Sequence, residues 1–470
     1  MIEKNNNFCD IAVFGMGTMG SNLARNMANR GIKTLLWNRN LEKAAFIAGE
    51  NPCFRVAVNP EDVLTLLQPP RKVMLMLPAG QVTTELTDRL KDILEPGDIV
   101  INGANSSAEE SDILCDSLAQ KDILYLGTGI SGGAQGALDG PSIMAGGSEK
   151  AWKLTAPLLQ KCAAAAPDGS KCAAYFGRGG AGHLVKIVHN GIEYAQMEII
   201  AEIYDVLKNG CSASAPVIAD FFAEQSQHNR CRSFLTDLTV KILQEKDPET
   251  GLWLIDFVAD KAESKGTGLT CLGYALQHGI PVPALAQAVQ MRQLSASSLW
   301  RSSRIPAVCA KTINNREHLL PRAAGRALKA AMLAAFAEGF ALLEGIFSAK
   351  GMSFSPALAA GTWSSGCIIR SELLELWRNV PTAKDNRVFP ATVDNMLLQL
   401  VESWQSFSVT AAEYGIPVPA VRSALDYYIL SARSDLATAL TAAQRDAFGN
   451  HLFRRKNSTR YEHHNWRLPL

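Results

Sequence analysis

None of the ten cysteines, at positions 9, 53, 115, 162, 172, 211, 231, 271, 309 and 367, stands in a C-x-x-C or other metal-ligand spacing. No metal site is expected, and the thiols read as reduced and mostly buried. An excess of one charge is also missing: 46 Lys and Arg face 45 Asp and Glu, a formal net charge of +1. That balance gives no bulk attraction to nucleic acid or to a membrane surface, and it leaves basic residues to act locally. The polar start, Met1 to Asp10, runs straight into an apolar run, which predicts no signal peptide. No long apolar stretch is free of charge either. The most apolar segment, residues 327–347, holds Lys329, Glu338 and Glu344 and predicts a buried helix, not a membrane span. These absences point to a cytoplasmic globular protein, and 470 residues are too many for one hydrophobic core.

Between residues 10 and 130, short apolar runs at 11–14, 34–37, 73–77, 99–101 and 123–126 alternate with helical stretches. The alternation predicts an open, largely parallel α/β sheet with its ligands outside the carboxyl ends of the strands. Beyond about residue 180 helical patterns dominate. The chain therefore divides into a Rossmann-like dinucleotide-binding domain over 1–180, an all-helical domain over 181–435, and a C-terminal tail over 436–470. The helical part reads as duplicated, roughly 181–300 and 326–435. Its anchor is Gly279-Ile280-Pro281-Val282-Pro283-Ala284, which returns as Gly415-Ile416-Pro417-Val418-Pro419-Ala420. A weaker match pairs residues 194–202 with 336–344. At that offset Lys186, His189, Asn190 and Glu193 fall opposite Leu328, Ala331, Met332 and Ala335, so that only the first copy carries chemistry.

The first apolar run leads into Gly15-Met16-Gly17-Thr18-Met19-Gly20, which opens a helical pattern. Between a strand and a helix this spacing supplies a tight turn, close backbone approach to a pyrophosphate and a helix N-terminus facing the anion. The second run ends in Asn38-Arg39-Asn40, without the carboxylate that would hold the ribose hydroxyls of NAD. Arg39 offers a planar fork for a 2′-phosphate, which favours NADP.

Residues 182–194 form one helical pattern in which Lys186, Asn190 and Glu193 stand at i, i+4 and i+7, with His189 beside them. Lys186 and Glu193 are about 10 Å apart along the axis, near enough for a base and an acid to meet on a substrate. The plain alternative is a solvated helix face. Gly191 inside the helix speaks against that alternative, because glycine costs helix stability and implies a close approach, expected here to be that of a ligand.

With these motifs on the page, the chain resembles the 6-phosphogluconate dehydrogenase (decarboxylating) family over nearly its whole length. Besides the glycine loop and Asn38-Arg39, the matching runs are Asn105-Ser106, Ser131-Gly132-Gly133, Gly140-Pro141-Ser142, residues 182–194, Lys265-Gly266-Thr267-Gly268, residues 366–371, Gln444-Arg445-Asp446 and His464-Asn465-Trp466. The resemblance implies NADP-dependent oxidation and decarboxylation of 6-phosphogluconate to ribulose 5-phosphate without a metal. It implies Lys186 as the base and Glu193 as the acid. Asn105, Ser131, Gly132, Gly133, His189 and Asn190 would hold the carboxylate and hydroxyls, with Asn105 also beside the cofactor. Tyr194, Lys265, Thr267, Arg292, Arg445 and His451 would surround the phosphate. A homodimer is implied in which each tail enters the partner's active site. The chain departs from the family pattern at Asn40, Asn102, Ala104, Ala145, Leu269 and Ser364. Those departures leave two alternatives open: a related sugar-acid or β-hydroxyacid dehydrogenase, and a catalytically weak binder of NADP or a phosphosugar.

Overall fold

The computed structural model describes residues 8–228, 231–264, 266–297, 299, 320–380 and 388–466. Its first part is an eight-stranded sheet of order β3-β2-β1-β4-β5-β6-β7-β8, made of β1 (Ile11–Phe14), β2 (Thr34–Trp37), β3 (Phe54–Val56), β4 (Lys72–Leu75), β5 (Ile99–Asn102), β6 (Leu124–Ser131), β7 (Ser142–Gly147) and β8 (Ala173–Tyr175). Every neighbouring pair is parallel except β6 and β7. The central strands β1 and β5 are buried along their whole length, as unbroken apolar strands covered on both faces must be. Strands β3, β7 and β8 have no counterpart among the apolar runs of the sequence. Two of them are only three residues long, and β7 is Ser-Ile-Met-Ala-Gly-Gly.

Those small residues have a purpose. The helix Ala181–Asp205 lies directly across β6 and β7. A Cβ on Gly146 would stand 2.3 Å from the Gly182 nitrogen, and one on Gly129 would stand 2.2 Å from Lys186 Cβ. Glycine on both sides thus lets the helix sink onto the sheet, which fixes Lys186 against the ends of its strands.

Helix Leu320–Ala349 packs along Ala181–Asp205 and forms the centre of the largest core cluster. It is long and apolar enough to cross a bilayer by length and composition, but 83% of its most apolar window is buried inside the protein. The two anchor hexapeptides adopt one conformation. Gly279 and Gly415 have φ of 65° and 67°, and Val282 and Val418 have φ, ψ of −138°, 63° and −133°, 60° before helices Pro283–Ala296 and Pro419–Ser431.

Each of these helix starts is closed by a carboxylate from the other copy. Glu338 accepts from the Ala284 and Leu285 amides, both at 3.1 Å. Glu202 accepts from those of Ala420 and Val421 at 2.7 and 2.8 Å. Burial pushes both carboxyls up to about 8, with the amides pulling part of the way back. This reciprocity corrects the weaker of the two repeat registers. The register that carries Gly279 onto Gly415 also carries Glu202 onto Glu338, and it sets Lys186, Asn190 and Glu193 opposite Arg322, Arg326 and Lys329, not opposite Leu328, Met332 and Ala335.

The tail is a helix, Thr438–Gly449, followed by a hairpin of Phe453–Arg454 with Tyr461–Glu462. It is organised on Asp446, the helix's one buried residue. That carboxylate accepts from the Leu452 and His464 amides, from His463 Nδ1 and, at 2.7 Å, from the Trp466 indole. Burial would raise its pKa, but these donors outweigh burial and hold it at about 2.

Candidate active site

The glycine loop behaves as its spacing requires. Gly15 turns the chain at φ 107°, and a Cβ there would lie 2.4 Å from the Met76 carbonyl oxygen. At Gly20 a Cβ would come within 2.0 Å of the Gly15 oxygen. Gly17 faces open space. It precedes helix Thr18–Asn29, whose first turn carries neither a side-chain cap nor an acidic residue, so its amides are presented to an anion. Asn38 ties the loop to β2, accepting from the Met16 amide at 3.0 Å and donating to the Asn40 carbonyl at 3.0 Å. The side chain of Asn40 is used as the N-cap of helix Leu41–Ala48, accepting from the Glu42 amide. Arg39 is exposed and makes no hydrogen bond or ion pair among the described residues, which leaves its guanidinium available to a 2′-phosphate. Thr18, Met19 and Asn105 line the same edge, with Asn105 exposed past the end of β5.

One strand over, Lys186 is buried against β6, its Cβ over Gly129. Its Nζ donates to Asn190 Oδ1 at 2.7 Å and lies 3.5 Å from His189 Nδ1. His189 is held on its other side by Ser131 Oγ at 3.1 Å from Nε2, and by the edge of Trp363. Glu193 Oε2 stands 3.9 Å from His189 Nδ1. Burial sets the electrostatics. It lowers the pKa of Lys186 against the opposing pull of Glu193 and Cys367, and lowers that of His189, helped by the Lys186 charge. It raises that of Glu193 against Lys186 and Arg292. A neutral amine and a protonated carboxyl are thereby favoured within one cleft, the pairing that general base and general acid work needs.

Gly132 and Gly133 continue from Ser131 at φ 132° and 64°. A Cβ on Gly132 would meet the Gly366 oxygen at 2.5 Å, so the Ser-Gly-Gly turn is backed by the segment following Trp363. Arg292 is not an isolated surface residue: its guanidinium lies 3.4 Å over the ring of Tyr194, whose hydroxyl is 3.2 Å from Ser264 Oγ. Thr267 begins helix Thr267–Gln277 after the left-handed Gly266. Lys265 falls outside the described residues. Arg445 and His451 are exposed on the tail and make no bond to Lys186, His189, Asn190 or Glu193.

The sequence reading of Gly191 needs correction. A Cβ there would lie 2.4 Å from Cys271 Sγ. The close approach is that of helix Thr267–Gln277, not of a ligand. Ala104 is buried, its amide donating to Asn102 Oδ1 at 3.0 Å. Ser364 donates to the Gly361 carbonyl. The sequence reading assigns no role to His183, Ser264, Trp363 or Cys367. Of these, His183 could have been found, because it stands three residues before Lys186, on the same side of the helix.

Residues 10–177 match the NAD binding domain of 6-phosphogluconate dehydrogenase, and residues 182–466 match the 6-phosphogluconate dehydrogenase C-terminal domain. Decarboxylating 6-phosphogluconate dehydrogenases are similar along the whole chain. That of Synechocystis sp. is 36% identical over 97% of both chains. That of Haemophilus influenzae is 36% identical over 97% of this chain and 96% of its own. Among solved structures, 6-phosphogluconate dehydrogenase of Plasmodium falciparum superposes with a TM-score of 0.91 at 29% identity, covering 97% of this chain and 100% of that one. It has been determined in apo form, with its cofactor NADP+ and with its substrate 6-phosphogluconate.

Proposed function

The chain belongs to the 6-phosphogluconate dehydrogenase family, and from that premise we propose how its own residues carry out NADP-dependent oxidative decarboxylation of 6-phosphogluconate to ribulose 5-phosphate and CO2. The observation that carries the proposal is the convergence of Lys186 and Glu193 on one buried face, with their pKa values displaced in opposite directions.

NADP, held on the Gly15–Gly20 loop with its 2′-phosphate toward Arg39, accepts a hydride from C3 of the substrate. Lys186, whose basicity burial lowers, takes the C3 hydroxyl proton. Asn190 aims the Nζ, and His189, braced by Ser131, orients the same hydroxyl. The resulting 3-keto acid loses CO2. Protonated Lys186 returns its proton to the C3 oxygen as negative charge develops there. Glu193, whose protonated form burial favours, delivers a proton to the carbon that lost CO2, and Lys186 takes the C3 hydroxyl proton back as the ketone of ribulose 5-phosphate forms. Asn105 and the Ser131-Gly132-Gly133 turn hold the carboxylate and hydroxyls. Tyr194, Lys265, Thr267 and Arg292 would surround the phosphate, the Arg292 cation being 3.4 Å over the Tyr194 ring.

Arg445 and His451 complete that phosphate site from a second subunit. In support, the tail leaves Leu440 and Phe448 67% and 75% exposed, a cost that association removes. The buried thiols of Cys162, Cys172, Cys231, Cys271 and Cys367, none of them in a disulfide, support a reducing, cytoplasmic setting.

Incubation with 6-phosphogluconate and NADP, with NAD and unphosphorylated gluconate in parallel, tests the reading. NADP reduction matched by released CO2, and absent with gluconate, is the expected result. Equal turnover of gluconate would move the assignment to another sugar acid. A chain ending before residue 436 should bind NADP yet turn over no substrate; full activity would remove the tail from the site.

A further inference from the structure

Helix Thr267–Gln277 starts at the phosphate side of the cleft, and its far half reaches a contact that the proposed chemistry does not use. Tyr274 stands seven residues beyond Thr267, two turns or about 10 Å along the axis. Its ring is buried. Its hydroxyl accepts from the Ala108 amide at 3.0 Å and donates to Glu109 Oε2 at 2.5 Å. Burial and the Glu109 contact both push the phenol's pKa up, so the donated proton stays on Tyr274. A hydroxyl that accepts and donates at once is what this pair of partners requires.

Ala108 and Glu109 open helix Ala108–Ala119, behind the Ser107 cap. Asn105 lies just before that cap, exposed at the tip of the turn leaving β5. The strand side of the turn is pinned by Asn102, whose Oδ1 accepts from the Ala104 amide at 3.0 Å and whose Nδ2 donates to Ser106 Oγ at 3.2 Å. The helix side is set against the start of the Lys186 helix. A Cβ on Gly180 would stand 2.2 Å from the Ala108 carbonyl oxygen, and the Gly180 amide donates to Asp112 Oδ1 at 2.7 Å. Tyr274 adds the tie to the phosphate side. Helix Thr267–Gln277 is itself tightly seated there: a Cβ on Gly268 would meet the Tyr194 ring at 2.6 Å, and Cys271 fills the space beside Gly191. A short, closely packed helix moves as one body, so its displacement at Thr267 is felt at Tyr274.

We propose that Tyr274 is a positioning residue that ties the turn bearing Asn105 to the helix beginning at Thr267, so that an anion held at Thr267 steadies Asn105 at the other end of the substrate. This rests on the reading that places the phosphate at Thr267 and the carboxylate and hydroxyls at Asn105.

The test follows amide hydrogen exchange by mass spectrometry in the full-length protein, with NADP bound to fill the sites of its own phosphates. Inorganic phosphate is the probe, since it is too small to span from Thr267 to Asn105. In wild type, phosphate should slow exchange at least about three-fold both in residues 266–272 and in residues 102–109. In Tyr274→Phe, the slowing should persist at 266–272 and vanish at 102–109. Glu109→Gln, which keeps an acceptor for the hydroxyl, should retain both effects. With 6-phosphogluconate, Tyr274→Phe should lower kcat about ten-fold while KM for NADP moves less than about two-fold. Slowing at 102–109 that survives in Tyr274→Phe, or wild-type kcat in that variant, would overturn the proposal. If Tyr274→Phe does not fold, Glu109→Ala decides by the same measurement, because it removes only an exposed acceptor and should at least halve the effect at 102–109. Wild-type slowing confined to 266–272 would sink the tie alone. No slowing in either segment would sink the phosphate reading and the tie with it, so the two failures are distinguishable.

Discussion

The two long helices at the centre of the molecule, Ala181–Asp205 and Leu320–Ala349, descend from one pattern and do different work. In the register fixed by Glu202 and Glu338, both present a buried carboxylate to the first amides of a helix in the opposite copy. Near their N-terminal ends they part. The first carries Lys186, His189, Asn190 and Glu193 where it crosses β6 and β7. The second has Arg322, Gly325, Arg326 and Lys329 at the matching positions, three cations and no acid. Packing was retained in both, and acid–base chemistry in the copy that touches the sheet. A helix becomes catalytic here through what it is pressed against: glycines on β6 and β7 bring Lys186 to the strand ends, where burial changes its basicity.

Replacing the distinctive lysine should have the largest effect. Lys186→Ala is expected to lower kcat about a thousand-fold while NADP affinity is retained, measured by steady-state rates and by cofactor titration. Turnover within a few-fold of wild type would erase the chemical difference between the copies. Next in size is Gly191→Ala, which drives a Cβ to 2.4 Å from Cys271 Sγ and should cost about 1–3 kcal/mol in denaturant melts. The matching residue of the second copy, Ala327, is already alanine and fully buried. Cys271→Ala should restore part of the stability of Gly191→Ala, since it removes the sulfur that is struck. No restoration would mean that helix Thr267–Gln277 is not what demands glycine.

The smallest effect tests what the copies share. Glu202 and Glu338 bind their protons more tightly in the folded protein than in the unfolded chain, because burial lifts both to about 8 from the ordinary carboxylate value of about 4.5. Their contribution to stability is therefore full below about pH 4.5 and is lost as pH rises through about 8. Relative to Glu202→Gln and Glu338→Gln, which do not titrate, the wild-type melting temperature should fall across that window by about 3 °C or more. Each Gln variant should melt lower at acid pH, having one acceptor fewer for two amides. A difference that does not vary with pH would show that the amides already hold both carboxylates charged.

Much of this arrangement is legible in the sequence where a signal is local. The strands at 11–14, 34–37 and 99–101, the Gly15–Gly20 turn and the shared face of Lys186, Asn190 and Glu193 follow from periodicity and spacing alone. Strand β7 escaped because its apolar content was given up to admit the helix. The repeat register slipped because a match between Tyr194 and Phe336 reflects similar composition on two apolar helices, whereas a cap that joins Glu202 to Ala420 is set by tertiary contact. Gly191 was read for the right reason, close approach, with the wrong neighbour. The phosphate-side roles of Arg445 and His451 depend on a second chain, and no property of one chain's sequence displays that geometry.

The exchanged carboxylates also bear on how such a fold could arise and be taken apart. Each copy closes a helix start in the other, which is the self-complementary relation that two identical chains make across a twofold axis. Within one polypeptide the pair behaves as a fused dimer. A gene divided between the copies would yield halves that each expose bare amides and an unsatisfied glutamate, and neither half would be whole until the other bound to it.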